Sequence, residues 1–192
     1  MNITKVVPNL RLAFSDNLVV AKALAGGKPR FTANFIIESP ESLKLVQDAI
    51  NQIAKEEFGG KAPTGKDSCL RDGNDNISGK TQEVYDGFAG KFYISGSRAE
   101  KLLAPKVVDG RLNDVRPGDK GYPNAGDYVT AKLSFYSING KNDKGGDKTY
   151  GKKICCTIEV VQFIRKGESF GSAAPSVDGM TAAEDSDEID AL

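Results

Sequence analysis

Tyr128-Val129-Thr130-Ala131-Lys132-Leu133-Ser134-Phe135-Tyr136-Ser137-Ile138 alternates without a break. Val129, Ala131, Leu133 and Phe135 make one apolar face, and Tyr128, Thr130, Lys132, Ser134 and Tyr136 make the other. This period of two marks a half-buried β-strand. Residues 139–153 follow as a Gly/Lys/Asp-rich hairpin connection, and residues 154–164 as a long strand rich in β-branched side chains. Two long strands joined in this way point to a mainly β protein.

Upstream, residues 30–37 alternate as cleanly: Phe31, Ala33, Phe35 and Ile37 face one way, Arg30, Thr32 and Asn34 the other, after a turn at Gly26, Gly27 and Pro29. Residues 6–14 place Val6, Leu10, Leu12 and Phe14 on one alternation, with Pro8 predicting an edge position or a bulge. Residues 91–97 set Phe92 and Ile94 opposite Lys91, Tyr93 and Ser95, and residues 105–109 add a short strand. One helix is predicted between the early strands. Ser39 reads as its N-cap, Pro40 as its first residue and Glu41 as a first-turn acid; Leu43, Val46, Ile50 and Ile53 recur at helical spacing, and Gly59-Gly60 ends it. Residues 59–90 hold seven glycines and form a long loop region, a length that is more often functional than idle. The expected fold is a small β-barrel of four or five strands with an inserted helix.

The chain has 192 residues, enough for one domain with appendages. It contains no histidine, which removes every Ser–His or Cys–His nucleophile pair and the commonest metal ligand. Cys69, Cys155 and Cys156 are an odd set without CxxC spacing, so neither a disulfide framework nor a zinc site is expected, and a reducing cytoplasm fits. No window approaches a membrane span and no signal pattern opens the chain. The formal net charge is zero, but its halves differ: residues 1–172 hold all 26 bases and 20 of the 26 acids, a net of +6, and residues 173–192 carry −6. That division sets the predicted domains, a basic body over 1–172 and a disordered acidic tail over 173–192. In the tail Glu184, Asp185, Asp187, Glu188 and Asp190 interleave with Ile189 and end at Leu192, a pattern suited to docking in a basic, apolar pocket of a partner.

Three motifs dissolve on inspection. Gly60-x4-Gly65-Lys66 has P-loop spacing, but Asp67 stands where Ser or Thr must hold magnesium, and the run follows a helix. Asp72, Asn74, Asp75 and Asn76 lack the closing glutamate of a calcium loop. Cys155-Cys156 reads as a pair of small packed thiols. No cofactor or metal is expected. The aromatic faces carry more: Tyr128, Lys132 and Tyr136 lie at even offsets on one strand face, and Lys91 with Tyr93 repeats the pairing on another. A tyrosine ring offers a base a stacking surface and a neighbouring lysine neutralises phosphate. Arg30, Lys106, Lys152 and Lys153 flank these strands and extend a basic groove. The single predicted helix mixes Lys44 and Lys55 with Glu41, Asp48, Glu56 and Glu57, which does not make a duplex-reading helix.

Cys69-Leu70-Arg71-Asp72-Gly73, Tyr85-x-Gly87 before Phe92-Tyr93-Ile94-Ser95, and Pro105-Lys106-Val107-Val108-Asp109 resemble a phage single-stranded-DNA-binding protein family. So do Tyr122, Gly126-Asp127-Tyr128-Val129, Phe135-Tyr136, Val161-Gln162 and Gly167-Glu168-x-Phe170-Gly171. The resemblance spans roughly residues 6–171. It implies a five-stranded OB-fold barrel, non-sequence-specific binding of single-stranded DNA in phage replication and recombination, no catalysis, no metal, and a place in the cytoplasm of the infected host. DNA would cross the face holding Tyr93, Tyr128, Lys132 and Tyr136. The acidic tail would compete with DNA and recruit a polymerase, helicase or nuclease; a homodimer and absence from membranes fit the same picture. Related tails often end in phenylalanine, whereas this one ends Ile189-Asp190-Ala191-Leu192. An RNA-binding OB module and an adaptor acting only through its tail are the alternatives.

Overall fold

The computed structural model describes residues 1–23, 27–139 and 151–170. The central part of the expected hairpin connection, the last two residues of the predicted body (171–172) and the acidic tail 173–192, with Glu184, Asp185, Asp187, Glu188, Ile189, Asp190 and Leu192, lie outside the described residues.

Alternation produces the long strands: β1 (Asn2–Ala13), β2 (Arg30–Ile37), β4 (Phe92–Ala99), β6 (Tyr128–Asn139) and β7 (Lys152–Arg165). Two three-residue strands, β3 (Leu70–Asp72) and β5 (Lys106–Val108), complete one sheet in the order β3-β4-β2-β1-β6-β7-β5. All pairings are antiparallel except β5 with β7. The protein is mainly β with one long helix, as expected, and the expected barrel is a loose one. Among the described residues the sheet has seven strands and no ladder closes it. It curls until β4 faces β7, where Arg98 pairs with Glu159 and donates to the Ile158 carbonyl. Gly96 lets the two strands approach, since a Cβ there would stand 2.7 Å from Ile158. The Cys69 amide bridges the remaining gap with a 2.8 Å bond to the Ile154 carbonyl.

The helix α1 (Pro40–Phe58) has the predicted ends. Ser39 accepts from the Ser42 amide, and Gly59 closes the last turn in the left-handed region. Its buried Val46, Ala49, Ile50, Ile53, Ala54 and Phe58 join Leu10, Leu12, Phe35, Leu133, Phe135 and Ile158 in the main core. Pro8 does mark a bulge: register shifts between Val7 and Leu10, with Asn9 at φ 51°. The Ser42 hydroxyl and Glu38 amide satisfy the freed Pro8 and Asn9 carbonyls. The bulge also breaks the expected alternation. Leu10 and Leu12 are buried, but Val6, ahead of the bulge, and Phe14, past the strand end at φ 48°, are exposed.

Candidate nucleic-acid interface

Register places six residues in one transverse row on the outer face of the sheet. Arg165 opposes Tyr128, Tyr128 opposes Arg11, Arg11 opposes Ile36, Ile36 opposes Tyr93, and Tyr93 opposes Arg71. Because opposed residues share a face, basic and aromatic side chains collect there from strands far apart in sequence. The loop after β3 folds back over the middle of this row. Phe88, fully buried, meets Tyr93 edge-on at 5.0 Å, and Ala13 and Ile36 complete a second small core. Phe14 and Tyr85 lie at its rim, 44% and 37% exposed, with ring centroids 4.9 Å apart.

Arginine ties this cluster to the end of the chain. The Arg11 guanidinium donates to the Gly126 carbonyl at 3.1 Å and the Glu168 carbonyl at 2.6 Å, and lies 4.4 Å from the Phe170 ring centroid. Arg165 stacks on the Tyr128 ring at 3.4 Å. The nearly buried Asp127 carboxylate accepts from the Lys166 ammonium and the Gly167 amide. Two glycines permit the contact: a Cβ on Gly126 would fall 2.1 Å from the Glu168 carbonyl oxygen, and one on Gly167 2.0 Å from the Gly126 oxygen. Gly87 is needed because its Cβ would stand 2.2 Å from the Phe170 ring. The residue groups Tyr85-x-Gly87, Gly126-Asp127-Tyr128 and Gly167-x-x-Phe170, scattered in sequence, therefore build one place.

From there the outer faces of β2 and β4 run on as small polar side chains, Asn34 opposite Ser95 and Thr32 opposite Ser97. Beyond them Arg30 donates to the Ser97 hydroxyl at 3.0 Å. Tyr136 and Cys155, opposed across β6 and β7, stand at this far end, with Arg30, Arg71 and Lys153 near the thiol. Burial pushes the Tyr136 hydroxyl above the usual tyrosine range, Cys155 adds to the rise, and Arg30 opposes it. Ile36 to Arg30 is six residues of strand, about 20 Å at ~3.3 Å per residue. A cavity of about 250 Å³ opens between Phe14, Tyr85, Phe88 and Phe170. A second of about 360 Å³ lies over Asn17, Thr32, Asn34 and Ser97, sharing Phe14 and Asp16 with the first.

The sequence-predicted residues do not share one surface. Tyr93 is only 5% exposed beneath Phe88, so its ring does not stand free. Lys91 pairs with Glu38 at 2.8 Å, Lys106 with Asp114 at 2.9 Å and Lys153 with Asp67 at 3.3 Å. Lys152 lies over the Phe58 ring at the end of α1. Tyr128 and Tyr136 share a strand face but are about 27 Å apart along it, and the Tyr128 ring already carries Arg165. Arg30 and Tyr136 come together; Lys132 is exposed in a separate row with Val6, Val160 and Lys106. Strand periodicity placed Phe14 on the apolar face of a strand it lies beyond, and it could not reveal Tyr85, Phe88 and Phe170 in their loops; the signal for those three was aromatic residues beside glycines. Chemically, a surface of rings, hydroxyls and guanidinium groups can stack planar bases and neutralise phosphate.

A curled sheet of this kind is matched in known proteins. The family model described as "Enterobacter phage Enc34, ssDNA-binding protein" matches residues 3–190, and this chain belongs to that family. No curated protein matches it. Among solved structures, the chain is similar to the single-stranded DNA-binding protein from bacteriophage Enc34 in complex with ssDNA, with 18% identity, TM-score 0.63, and coverage of 88% of this chain and 89% of that one. The same phage protein without that description of a complex matches at 17% identity and TM-score 0.63 over 93% and 88% of the two chains. Gp2.5, a single-stranded DNA binding protein encoded by bacteriophage T7, matches at 12% identity and TM-score 0.51 over 95% and 99%. At these identities the structural likeness is one of fold.

Proposed function

We propose that this protein binds single-stranded DNA without strict sequence preference along the outer face of β2 and β4. Bases stack on Phe14 and Tyr85 at one end and on Tyr136 at the other; Arg30, Arg71 and Arg165 neutralise phosphates. The observation that carries this reading is the shared face itself: the exposed Phe14 and Tyr85 rings at one end and the half-buried Tyr136 beside Arg30 at the other bound a track of small hydroxyl and amide side chains too short to obstruct a strand. Family membership supports it, as does the solved Enc34 relative described in complex with ssDNA. The reading is of a binding protein rather than an enzyme, serving phage replication and recombination in the host cytoplasm. The acidic tail, held near the face at an effective concentration that can reach about millimolar, competes with DNA and, once displaced, recruits a polymerase, helicase or nuclease.

Gel-shift titrations with matched single-stranded DNA, duplex DNA and RNA test the proposal. Single-stranded DNA should bind tightest, with log affinity falling against log salt by about 0.7 per phosphate neutralised. Tyr136→Ala should weaken binding by roughly 5- to 160-fold, as stacking at about 1–3 kcal/mol per base implies, and Arg30→Ala should weaken it and lower the salt slope by about 0.7. Unchanged affinity in both variants would place the strand elsewhere, and tighter binding of RNA would favour an RNA-binding module.

A further inference from the structure

Asp16 and Asp86 both line the first cavity of the interface, and Asp16 alone of the two also lines the second. Asp16 follows the Phe14 turn, lines both cavities of the interface, is exposed, and makes no hydrogen bond or ion pair among the described residues. A carboxylate there repels phosphate, so a bound strand is most stable when it presents a base edge to this point. Beside it is the exposed Phe14 ring, held at φ 48° in contact with Tyr85. An ionised carboxylate only accepts hydrogen bonds.

We propose that Phe14 and Asp16 form a base-reading subsite that favours amino-bearing bases over thymine. This deepens the single-stranded-DNA reading and rests on it. The Phe14 ring supplies a stacking wall, and Asp16 accepts from the base edge. Guanine offers two adjacent donors, N1–H and the N2 amino group, which suit the two carboxylate oxygens; cytosine and adenine each offer an exocyclic amino group. Thymine presents carbonyl oxygens on both sides of its single N–H, and these oppose the carboxylate. The preference is local, one base in the footprint, laid over binding that is otherwise indifferent to sequence.

The test compares a thymine tract with the same tract carrying one guanine or one cytosine at successive positions, by fluorescence anisotropy on the full chain. The unmodified protein should bind the best-placed guanine tract about fivefold more tightly than the thymine tract, at the low end for a base-edge pair because the subsite is open. Asp16→Asn, which removes the charge and adds a donor, should bring the two tracts to within about twofold, chiefly by tightening thymine binding. An unchanged thermal midpoint shows that the variant folds, as expected for an exposed side chain without partners. Equal affinity of the unmodified protein for all tracts, or a preference that survives Asp16→Asn, overturns the subsite while leaving the binding reading intact. Failure to bind any single strand overturns both.

Discussion

Replacing Arg11 should test whether the interface is held together from beneath. Its side chain is 13% exposed and makes charge-assisted bonds to the Gly126 and Glu168 carbonyls, stacks on Phe170, and faces Glu38 at 4.0 Å. A hydrogen bond from a charged donor contributes about 1.5–3 kcal/mol. The Gly126 bond is part-buried and takes a middle value; the Glu168 bond is exposed and takes less, about 1 kcal/mol. Stacking adds about 0.5–1 kcal/mol. Arg11→Ala should therefore cost about 4 kcal/mol, which a domain of about 5–15 kcal/mol survives. With a urea m-value of about 2 kcal/mol/M, the unfolding midpoint should drop by about 2 M. Arg11→Lys should recover less than half, since one ammonium cannot bond two carbonyls and stack together. DNA affinity should fall in both variants under conditions where they are folded, because Phe170 loses its seat beside the first cavity. A midpoint shift below about 0.3 M, or full recovery by lysine, would refute the bridging role and leave Arg11 as a simple surface charge.

Two further outcomes follow from packing and ionisation. Gly126 and Gly118 both have positive φ, 97° and 94°, but a Cβ meets the Glu168 carbonyl at 2.1 Å on the first and nothing within 4 Å on the second. Gly118→Ala should cost about 1 kcal/mol of backbone strain, and Gly126→Ala at least ~2 kcal/mol more; similar melting curves for the two would contradict the close approach of these loops. Burial pushes the Cys69 thiol from 9.0 up to about 12. The folded state then retains a proton that the unfolded chain loses, so this contribution is fully present below pH ~9 and is lost as pH rises towards 12, at up to ~1.4 kcal/mol per pH unit. Urea midpoints measured at pH 8 and pH 10.5 should fall less steeply in Cys69→Ala than in the parent; parallel falls would show that Cys69 is not held neutral by the fold.

The strands and helix were legible because each is local. Residues 128–138 alternate, and Ser39-Pro40-Glu41 and Gly59-Gly60 carry the ends of α1 in their own chemistry. The short strand β3 was not, since three residues show no period and its pairing comes from β4. Periodicity also identified which side of β6 faces outward, but not what else reaches that side. Tyr93 alternates as an outward residue and does point away from the main core, yet Phe88, from a loop without a period, buries it. The Lys91, Lys106 and Lys153 charges looked available until folding brought Glu38, Asp114 and Asp67 beside them. The glycine motifs marked the important place without showing why; tight backbone contacts between Gly126, Gly167 and Glu168 supply the reason.

Sequence alone determined a mainly β body with one capped helix, its excess of basic charge, and the acidic composition of residues 173–192, because alternation, capping and charge are properties of neighbouring residues. Tertiary structure decided that β4 would meet β7 without a closing ladder, that Phe14, Tyr85, Phe88 and Phe170 would gather from separate loops, and that Arg30 would stand beside Tyr136. Those relations depend on sheet register and curl, which join residues far apart in the chain and leave no periodic trace in the order of the amino acids.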